Sequence, residues 1–196
     1  MKAIDKSIWE KAQQEEFKLD SVSDFDSGIL HFRKVYDHYF HYLGISRNLK
    51  EKNILEIGPA NFPAISFCHN FFKSYVIEPN ETDHLLDCVT GRDIVVIVKP
   101  AEEIEHFPRV YEIWLLNILQ HTMDPELILK KCMQTAKVIR FFEPINCGTS
   151  PTHLHDFTLE YFENIFGQKV NHFAAKQEIV GFHDSECAYG VINLKP

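Results

Sequence analysis

The sequence predicts an α/β fold: a mostly parallel, seven-stranded sheet with helices on both faces and a helical cap at the N-terminus. Three observations support this prediction. Residues 52–80, KNILEIGPANFPAISFCHNFFKSYVIEPN, have the pattern of a strand, a tight turn, a helix and a second strand. The continuous β-branched run 93–98 is typical of a parallel strand buried on both faces. Further apolar strands and helical segments then alternate, as in repeated βαβ units.

Two helices, 6–18 and 28–43, are predicted before this unit, and a polar stretch, 20–27, separates them. Their aromatic residues require a partner surface, either the edge of the sheet or a ligand site that the helices cover. At 196 residues the chain is expected to form one domain, with residues 1–50 as the cap and 51–196 as the core.

The core elements follow in order along the chain. Asp124 and Pro125 form a strong helix start, because Asp is a favoured N-cap and Pro is favoured at the first helical position. Thr158 is a second predicted cap. The predicted elements are strand 53–57, helix 63–72, strand 74–77, a polar region 83–91, strand 93–98, a short helical turn at 102–103, strand 110–116, helix 125–135, strand 137–142, helix 158–166, strand 169–174 and strand 187–194.

Composition excludes several classes of partner. The net charge is −8 and no Lys/Arg cluster is longer than a pair, which disfavours a nucleic-acid substrate. No apolar run approaches the ~18–20 residues that span a bilayer, and the N-terminus lacks the apolar core of a signal peptide. The five cysteines have no C-x-x-C spacing, as expected for reduced thiols. A cytoplasmic protein without a membrane partner is expected.

The predicted unit at 52–80 has features of a nucleoside site. Glu78 closes the second strand about 20 residues after the Gly58 turn, where a carboxylate can accept hydrogen bonds from ribose hydroxyls. A pyrophosphate cofactor such as NAD or FAD requires further glycines, and here Pro59 and Pro63 remove two backbone N–H groups. Glu56 would repel a pyrophosphate and attract a sulfonium or amino group. These features favour S-adenosylmethionine as the cofactor.

The order of motifs resembles the class I, Rossmann-like S-adenosylmethionine-dependent methyltransferases. LEIGPANFP resembles the first motif of that family, IEPN the second, and VKPAEEI the segment after the third strand. VYEIWLLNILQHTMDPELILKKCMQTAKVIRFFEPI resembles the fourth strand, helix and fifth strand, so the likeness covers residues 53–144. The chain departs from the family at Ala60 and Phe62, where a second and often a third glycine are usual.

The resemblance implies a set of cofactor contacts. Glu56, Gly58 and Ala60 are expected to line the methionine end of the cofactor. Glu78 is expected to bind both ribose hydroxyls, although a carboxylate at a strand end can also be merely solvated. Pro79 is expected to pack against the adenine ring.

Three further residues complete the predicted cofactor site. Ala101 and Glu102 stand where family members contact the adenine, and Glu102 can accept from the exocyclic amine. It is equally consistent with the sequence that Glu102 and Glu103 are charged residues on the surface of a short helix. Asn117, after the fourth strand, is placed to bind the amino group of the cofactor through its side-chain carbonyl.

Histidines are the candidate catalytic residues. His121 follows the fourth strand and is the leading candidate for a general base, although it can also bond a backbone carbonyl. His153 and His155 lie in a polar loop after the fifth strand and are candidates for acceptor recognition or base catalysis. Their H-x-H spacing also permits metal ligation, but no Cys or carboxylate spacing supports a metal site, and none is predicted.

The predicted function is methyl transfer to a small polar acceptor, such as O-methylation of a sugar or another metabolite. The tetrapeptide after the fourth strand is NILQ, unlike the Asn/Asp-Pro-Pro-aromatic motif associated with methylation of base or glutamine amino groups. Two alternatives stay open: a cofactor-binding or interaction module without turnover, and a dehydrogenase, which the missing glycines disfavour. The oligomeric state is not predicted.

Overall fold

The computed structural model describes residues 2–20, 24–173 and 186–194. These residues form one seven-stranded sheet in the order β3-β2-β1-β4-β5-β7-β6. The strands are β1 (Ile54–Ile57), β2 (Ser74–Ile77), β3 (Ile94–Ile97), β4 (Glu112–Leu116), β5 (Val138–Ile145), β6 (Asn171–Phe173) and β7 (Glu186–Asn193). Strands β1 to β5 pair in parallel, whereas β7 is antiparallel to both β5 and β6. The predicted mostly parallel α/β sheet is confirmed.

Helices cover both faces of this sheet. The described residues include the α-helices α1 (Lys6–Asp20), α2 (Phe25–Leu43), α3 (Asp83–Val89), α4 (Pro125–Thr135) and α5 (Leu159–Phe166). The predicted caps are confirmed, since the Asp124 side chain accepts from Leu127 N–H and the Thr158 side chain accepts from Tyr161 N–H. In the described part of the chain, no helix has both the length and the hydrophobicity needed to cross a membrane.

One hydrophobic core lies between α2, α3 and the first face of the sheet. Tyr39 of α2 packs against Phe142 of β5, with ring centroids 4.7 Å apart. Gly28 allows α2 to approach the chain after β1, because an added Cβ would lie 2.3 Å from Phe62 Cζ. The predicted cap therefore divides into two parts. Helix α2 belongs to the helical layer on the sheet, and only α1 extends over the carboxyl ends of the strands.

A second core fills the space between the opposite face, α4 and α5. Its centre is apolar and aromatic: Phe141 of β5 stacks on Phe162 of α5, with ring centroids 5.0 Å apart. Leu129 and Cys132 of α4 are fully buried against the same face. Burial on both faces explains why β1 and β4 are mostly apolar and do not alternate, with Glu56 inside β1 and Glu112 at the start of β4 as the exceptions. The two cores fix the ends of these strands, where the candidate site lies.

Helix 63–72 was predicted incorrectly. The structure contains only a short 3₁₀ helix, Ala64–Phe67, followed by extended backbone at Cys68. The N–H of His69 donates to the carbonyl of Arg47, and the carbonyl of His69 accepts from Leu49 N–H. Because the backbone of His69 bonds to this distant segment, it does not form the hydrogen bonds that would continue the helix. Helical spacing of apolar residues could not reveal this competition.

Two other expectations also need correction. The β-branched strand β3 is the edge of the sheet, and Val95 is 36% exposed, so it is not buried on both faces. The polar region 83–91 contains helix α3, whose N-cap Thr82 accepts a hydrogen bond from Leu85 N–H. The predicted sixth strand extended to Ala174, which lies outside the described residues, as do residues 21–23 of the predicted polar stretch.

Candidate functional site

A cleft opens at the carboxyl ends of β1, β2, β3 and β4. It lies where the strand order reverses between β1 and β4, the usual ligand position in open parallel sheets. Helix α1 forms the remaining wall. The lining residues are Trp9, Gln13, Glu16, Ile57, Gly58, Ala60, Asn61, Ile77, Glu78, Pro79, Asn80, Thr82, Pro100, Ala101, Glu102, Ile118, His121 and Thr122.

The turn after β1 depends on a glycine. Gly58 has φ +64°, and its N–H donates to the carbonyl of Ile77 at 2.8 Å. A Cβ at this position would lie 2.1 Å from Ile118 Cδ1 across the cleft floor. Ala60 has φ 51° and adopts the left-handed conformation without being glycine. The turn therefore retains the backbone form of a glycine-rich loop while Ala60 adds a methyl group.

Glu78 lies at the end of β2 on the wall of the cleft and is 4% exposed. Its Oε2 accepts from Ala60 N–H at 3.0 Å, and its Oε1 accepts from Asn80 N–H at 3.0 Å. Each carboxylate oxygen has two acceptor positions, so both can also accept from a ligand hydroxyl. Pro79 follows on the same wall.

Glu56 lies beneath the cleft rather than on its wall, which corrects its expected position. It is 1% exposed, and its two oxygens accept from Ala64 N–H (2.8 Å) and Ile65 N–H (2.9 Å). It thus caps the 3₁₀ helix after the turn. Burial raises its pKa to about 7. Its carboxylate holds the loop and does not face the cleft.

Ala101 and Glu102 line the cleft after β3, as the sequence predicts. Glu102 Oε1 accepts from Met123 N–H at 2.7 Å and from Asp124 N–H at 3.1 Å. This carboxylate therefore joins the segment after β3 to the start of α4.

Asn117 does not line the cleft, contrary to the expectation that its side chain faces the cofactor. Its Oδ1 accepts from Gln120 Nε2 at 2.8 Å, and its N–H donates to the carbonyl of Phe142 at 2.7 Å. Its φ of 60° is left-handed, a conformation that Asn tolerates better than most residues. Asn117 shapes the turn after β4.

His121 is the histidine that lines the cleft, and its side chain is 9% exposed. Its Nδ1 lies 3.1 Å from Glu16 Oε1 of α1. Its Nε2 lies 3.2 Å from Gln120 Nε2. The imidazole therefore has a defined neighbour at each nitrogen and one edge towards the cleft.

The other two candidate histidines do not line the cleft. The His153 ring meets His121 edge to face at a centroid distance of 4.9 Å, and burial together with the nearby His121 lowers the pKa of His153. His155 is 4% exposed, and its Nε2–H donates to the carbonyl of Thr122 at 2.8 Å. Burial lowers the pKa of His155, so the neutral ring is a structural link between the loop and the site.

Comparison with known proteins rests on structure, since no family model and no curated protein sequence matches the chain. The plantazolicin methyltransferase BpumL, solved with S-adenosylhomocysteine, has a TM-score of 0.61 at 10% identity, covering 96% of this chain and 94% of BpumL. The Burkholderia thailandensis 1,6-didemethyltoxoflavin-N1-methyltransferase, solved with its substrate and S-adenosylhomocysteine, has a TM-score of 0.60 at 12% identity, covering 91% of this chain and 88% of that enzyme.

The chain has the class I, Rossmann-like methyltransferase fold. The predicted fold is confirmed. The same fold occurs in the cyclase SpnF, which has a TM-score of 0.61 at 9% identity and covers 81% of this chain and 80% of SpnF. Because one fold supports different reactions, the function must be argued from the cleft itself.

Sequence reasoning missed a second buried carboxylate in this methyltransferase fold. Glu143 of β5 is fully buried, and its Oε1 accepts from Ile118 N–H at 2.9 Å and Leu119 N–H at 3.2 Å. Burial raises its pKa to about 8. It holds the loop between β4 and α4 as Glu56 holds the loop after β1. A glutamate inside an apolar strand was the available signal.

Glu143 should make the stability of the fold depend on pH. Its pKa is raised from 4.5 to about 8, so the protonated group contributes stability below pH ~4.5 that is lost as the pH rises to ~8. Relative to wild type, Glu143→Gln should therefore gain stability by a few kcal/mol, in order of magnitude, between pH 5 and pH 8. Urea denaturation of both proteins at the two pH values measures this. A difference that does not change with pH would contradict it.

Three further cleft residues were also missed: Trp9, Gln13 and Glu16, which line the cleft from α1. Their spacing places them on one face of a helix. The Trp9 indole N–H donates to the carbonyl of His121 at 2.9 Å, and Asn80 Nδ2 donates to Gln13 Oε1 at 3.2 Å. The sequence shows that this helix has an aromatic and polar face, but it does not show which residues that face contacts.

Carboxylates dominate the charge of the cleft. Glu16, Glu78 and Glu102 line it, and none of the described residues that line it is Lys or Arg. Carboxylates that face a cleft attract cations and repel anions. The site is therefore suited to a neutral or positively charged ligand with hydroxyl or amino groups.

Proposed function

We propose that the cleft binds S-adenosylmethionine and that the protein is a methyltransferase for a small polar acceptor. One observation carries the proposal. Glu78, at the end of β2, presents a nearly buried carboxylate to the cleft beside the close-packed Gly58 turn. A carboxylate in this position is suited to two neighbouring ribose hydroxyls. The methyltransferase fold and its solved relatives with S-adenosylhomocysteine support the same assignment.

The described residues fit this cofactor in shape and charge. At Gly58 the space of a Cβ is already filled by the Ile118 side chain, so the turn stays tight against the cleft floor. Carboxylates suit the hydroxyls and the positive charge of a sulfonium, whereas the prolines after Gly58 and the acidic lining disfavour the pyrophosphate of NAD.

Four side chains would hold the cofactor. Glu78 would accept from the ribose hydroxyls, Pro79 and Ala101 would pack on the adenine, and Glu102 would accept from its amine. Gly58 and Ala60 would approach the methionine end. When bound, the cofactor supplies a methyl group made electrophilic by its sulfonium. The protein must then bring the acceptor into line and exclude water.

His121 is the candidate general base in the cleft. For a hydroxyl acceptor, such as a sugar, the hydroxyl would donate its proton to the ring nitrogen of His121 that carries the lone pair. The acidic lining favours an uncharged or amino-bearing acceptor over a carboxylate or phosphate. The acceptor is thus proposed to be a small polar molecule without negative charge, and not a nucleic acid.

A two-stage experiment tests the proposal. Isothermal titration should show saturable binding of S-adenosylmethionine and S-adenosylhomocysteine, with NAD as the negative control. Transfer from tritiated S-adenosylmethionine is then measured on hydroxyl, amine and carboxylate acceptors. His121→Ala should retain binding and lower turnover ~10²–10⁴-fold. Absence of binding to both adenosyl ligands, or binding to NAD alone, would contradict the proposal.

A cofactor-binding module without turnover is the second candidate. One observation favours it: in this structure both ring nitrogens of His121 face protein groups, Glu16 and Gln120, rather than open space. The likeness to a cyclase shows that the fold is not restricted to methyltransferases. Tight binding of S-adenosylmethionine together with no transfer to any acceptor class would favour this alternative.

A further inference from the structure

One face of helix α1 converges on His121. Trp9 Nε1–H donates to the His121 carbonyl at 2.9 Å, and Gln13 Nε2 donates to the same oxygen at 3.3 Å. One turn further on, Glu16 Oε1 lies 3.1 Å from His121 Nδ1. Residues spaced by three or four positions share one side of a helix, so α1 contacts both the backbone and the ring of this histidine.

The neighbours of the ring favour one tautomer. Gln120 Nε2 is a donor, because it also donates to Asn117 Oδ1 at 2.8 Å, so His121 Nε2, 3.2 Å away, is placed to accept. Nδ1 then carries the hydrogen and points towards the Glu16 carboxylate. Nδ1 is buried and, among the described residues, has no hydrogen bond of good angle. The 3.1 Å approach of Glu16 is short but misaligned, as is common before a site is filled.

We propose that Glu16 is the positioning residue for His121: its carboxylate accepts from Nδ1–H and leaves the Nε2 lone pair for the acceptor. This inference rests on the proposed function and extends it to α1. The packing of α1 over the cleft brings Glu16 to His121 and so completes the proposed reactive centre. An acceptor hydroxyl takes the place of Gln120 as the donor to Nε2. Its proton would move to Nε2 as the oxygen–methyl bond forms and the carbon–sulfur bond of the sulfonium breaks to leave the neutral thioether, S-adenosylhomocysteine. The Glu16 carboxylate would balance the charge of the imidazolium that forms.

Charge and position both support this role. Glu16 is partly buried, with 31% of its side chain exposed, and His121 is almost enclosed at 9%. A charged group near a shielded ring interacts more strongly than one in open solvent. Neighbouring Glu15, by contrast, is 49% exposed and pairs with Lys18 at 3.5 Å. Glu15 therefore provides a matched control on the same helix.

Long-range ¹H–¹⁵N NMR of protein labelled at histidine tests the proposal without cofactor or acceptor. The His121 signals are assigned as those that disappear from the spectrum of the His121→Ala variant. At alkaline pH, wild type should show the Nδ1–H tautomer. Glu16→Ala should weaken this preference to the part that Gln120 alone supports through Nε2, Glu16→Gln should retain more of it because an acceptor oxygen remains, and Glu15→Ala should leave it unchanged. An Nε2–H tautomer in wild type, or an unchanged tautomer in Glu16→Ala, would overturn the proposal.

Binding and turnover separate this proposal from the function on which it rests. Titration of wild type with S-adenosylmethionine tests the function, whereas the tautomer tests the pair. With an active acceptor, Glu16→Ala should lower kcat ~10-fold or more with little change in the acceptor KM. A rise in KM with unchanged kcat would assign Glu16 to acceptor binding and overturn the positioning role. Thermal unfolding of each variant confirms that α1 and the core are intact.

Discussion

Replacing Glu78 with alanine is expected to weaken S-adenosylmethionine binding ~100-fold or more. The side chain would make two hydrogen bonds from ribose hydroxyls to one carboxylate, and bonds to a charged group contribute ~1.5–3 kcal/mol each. The change also removes the acceptor for Ala60 N–H and Asn80 N–H, so the turn after β1 loses its support from β2. Isothermal titration of both proteins measures the effect.

Two matched variants sharpen this test. Glu81→Ala removes a carboxylate from the same loop that is exposed and does not line the cleft, so its affinity should equal that of wild type. Glu78→Gln keeps one acceptor oxygen without the charge and should bind with intermediate affinity. Normal affinity in a folded Glu78→Ala protein would show that the ribose lies elsewhere.

Gly58→Ala should destabilise the protein by ~2–5 kcal/mol. Two costs add. A left-handed φ of +64° costs a non-glycine residue ~1–2 kcal/mol, and forcing a methyl group to within 2.1 Å of Ile118 Cδ1 adds an overpacking cost of ~1–3 kcal/mol. Urea denaturation gives the free energy of unfolding. Because Ile118 lines the cleft, its displacement should also lower cofactor affinity.

Gly44 provides the control that separates the two costs. Its φ is +60°, nearly the same as at Gly58, but an added Cβ would meet nothing within 4 Å. Gly44→Ala should therefore lose only the conformational part, ~1–2 kcal/mol. In an Ile118→Ala background the cost of Gly58→Ala should fall to a similar value. Equal losses for Gly58→Ala and Gly44→Ala in the wild-type background would show that contact with Ile118 contributes nothing.

Much of the fold could be predicted because its signals are local. The cap at Asp124 and Pro125 and the apolar run of β4 depend on neighbours in the sequence, and both are found where predicted. The helix predicted at 63–72 failed because its backbone bonds to the segment around Arg47. The edge position of β3 was equally hidden, since strand order depends on pairing between distant segments.

The candidate site divides in the same way. Gly58, Glu78, Ala101, Glu102 and His121 follow the ends of strands, so the parallel topology brings them together at one edge of the sheet. Asn117 and His155 also lie near that edge of the sheet, but their side chains have structural roles. Asn117 bonds the side chain of Gln120, and His155 bonds the carbonyl of Thr122. The spacing of polar residues along the sequence does not predict which group each of them will bond in the folded chain.

The alternation of strands and helices, the glycine turn and the acidic residue that closes β2 all follow from the amino-acid sequence alone. Each of these features depends on residue type and on interactions between residues that are close together in the sequence. In contrast, the support that Glu56 and Glu143 give to loops from within the core, and the contact between Glu16 and His121, are visible only in the folded chain. These contacts join segments far apart in the chain, and the packing of α1 and the register of the strands set them.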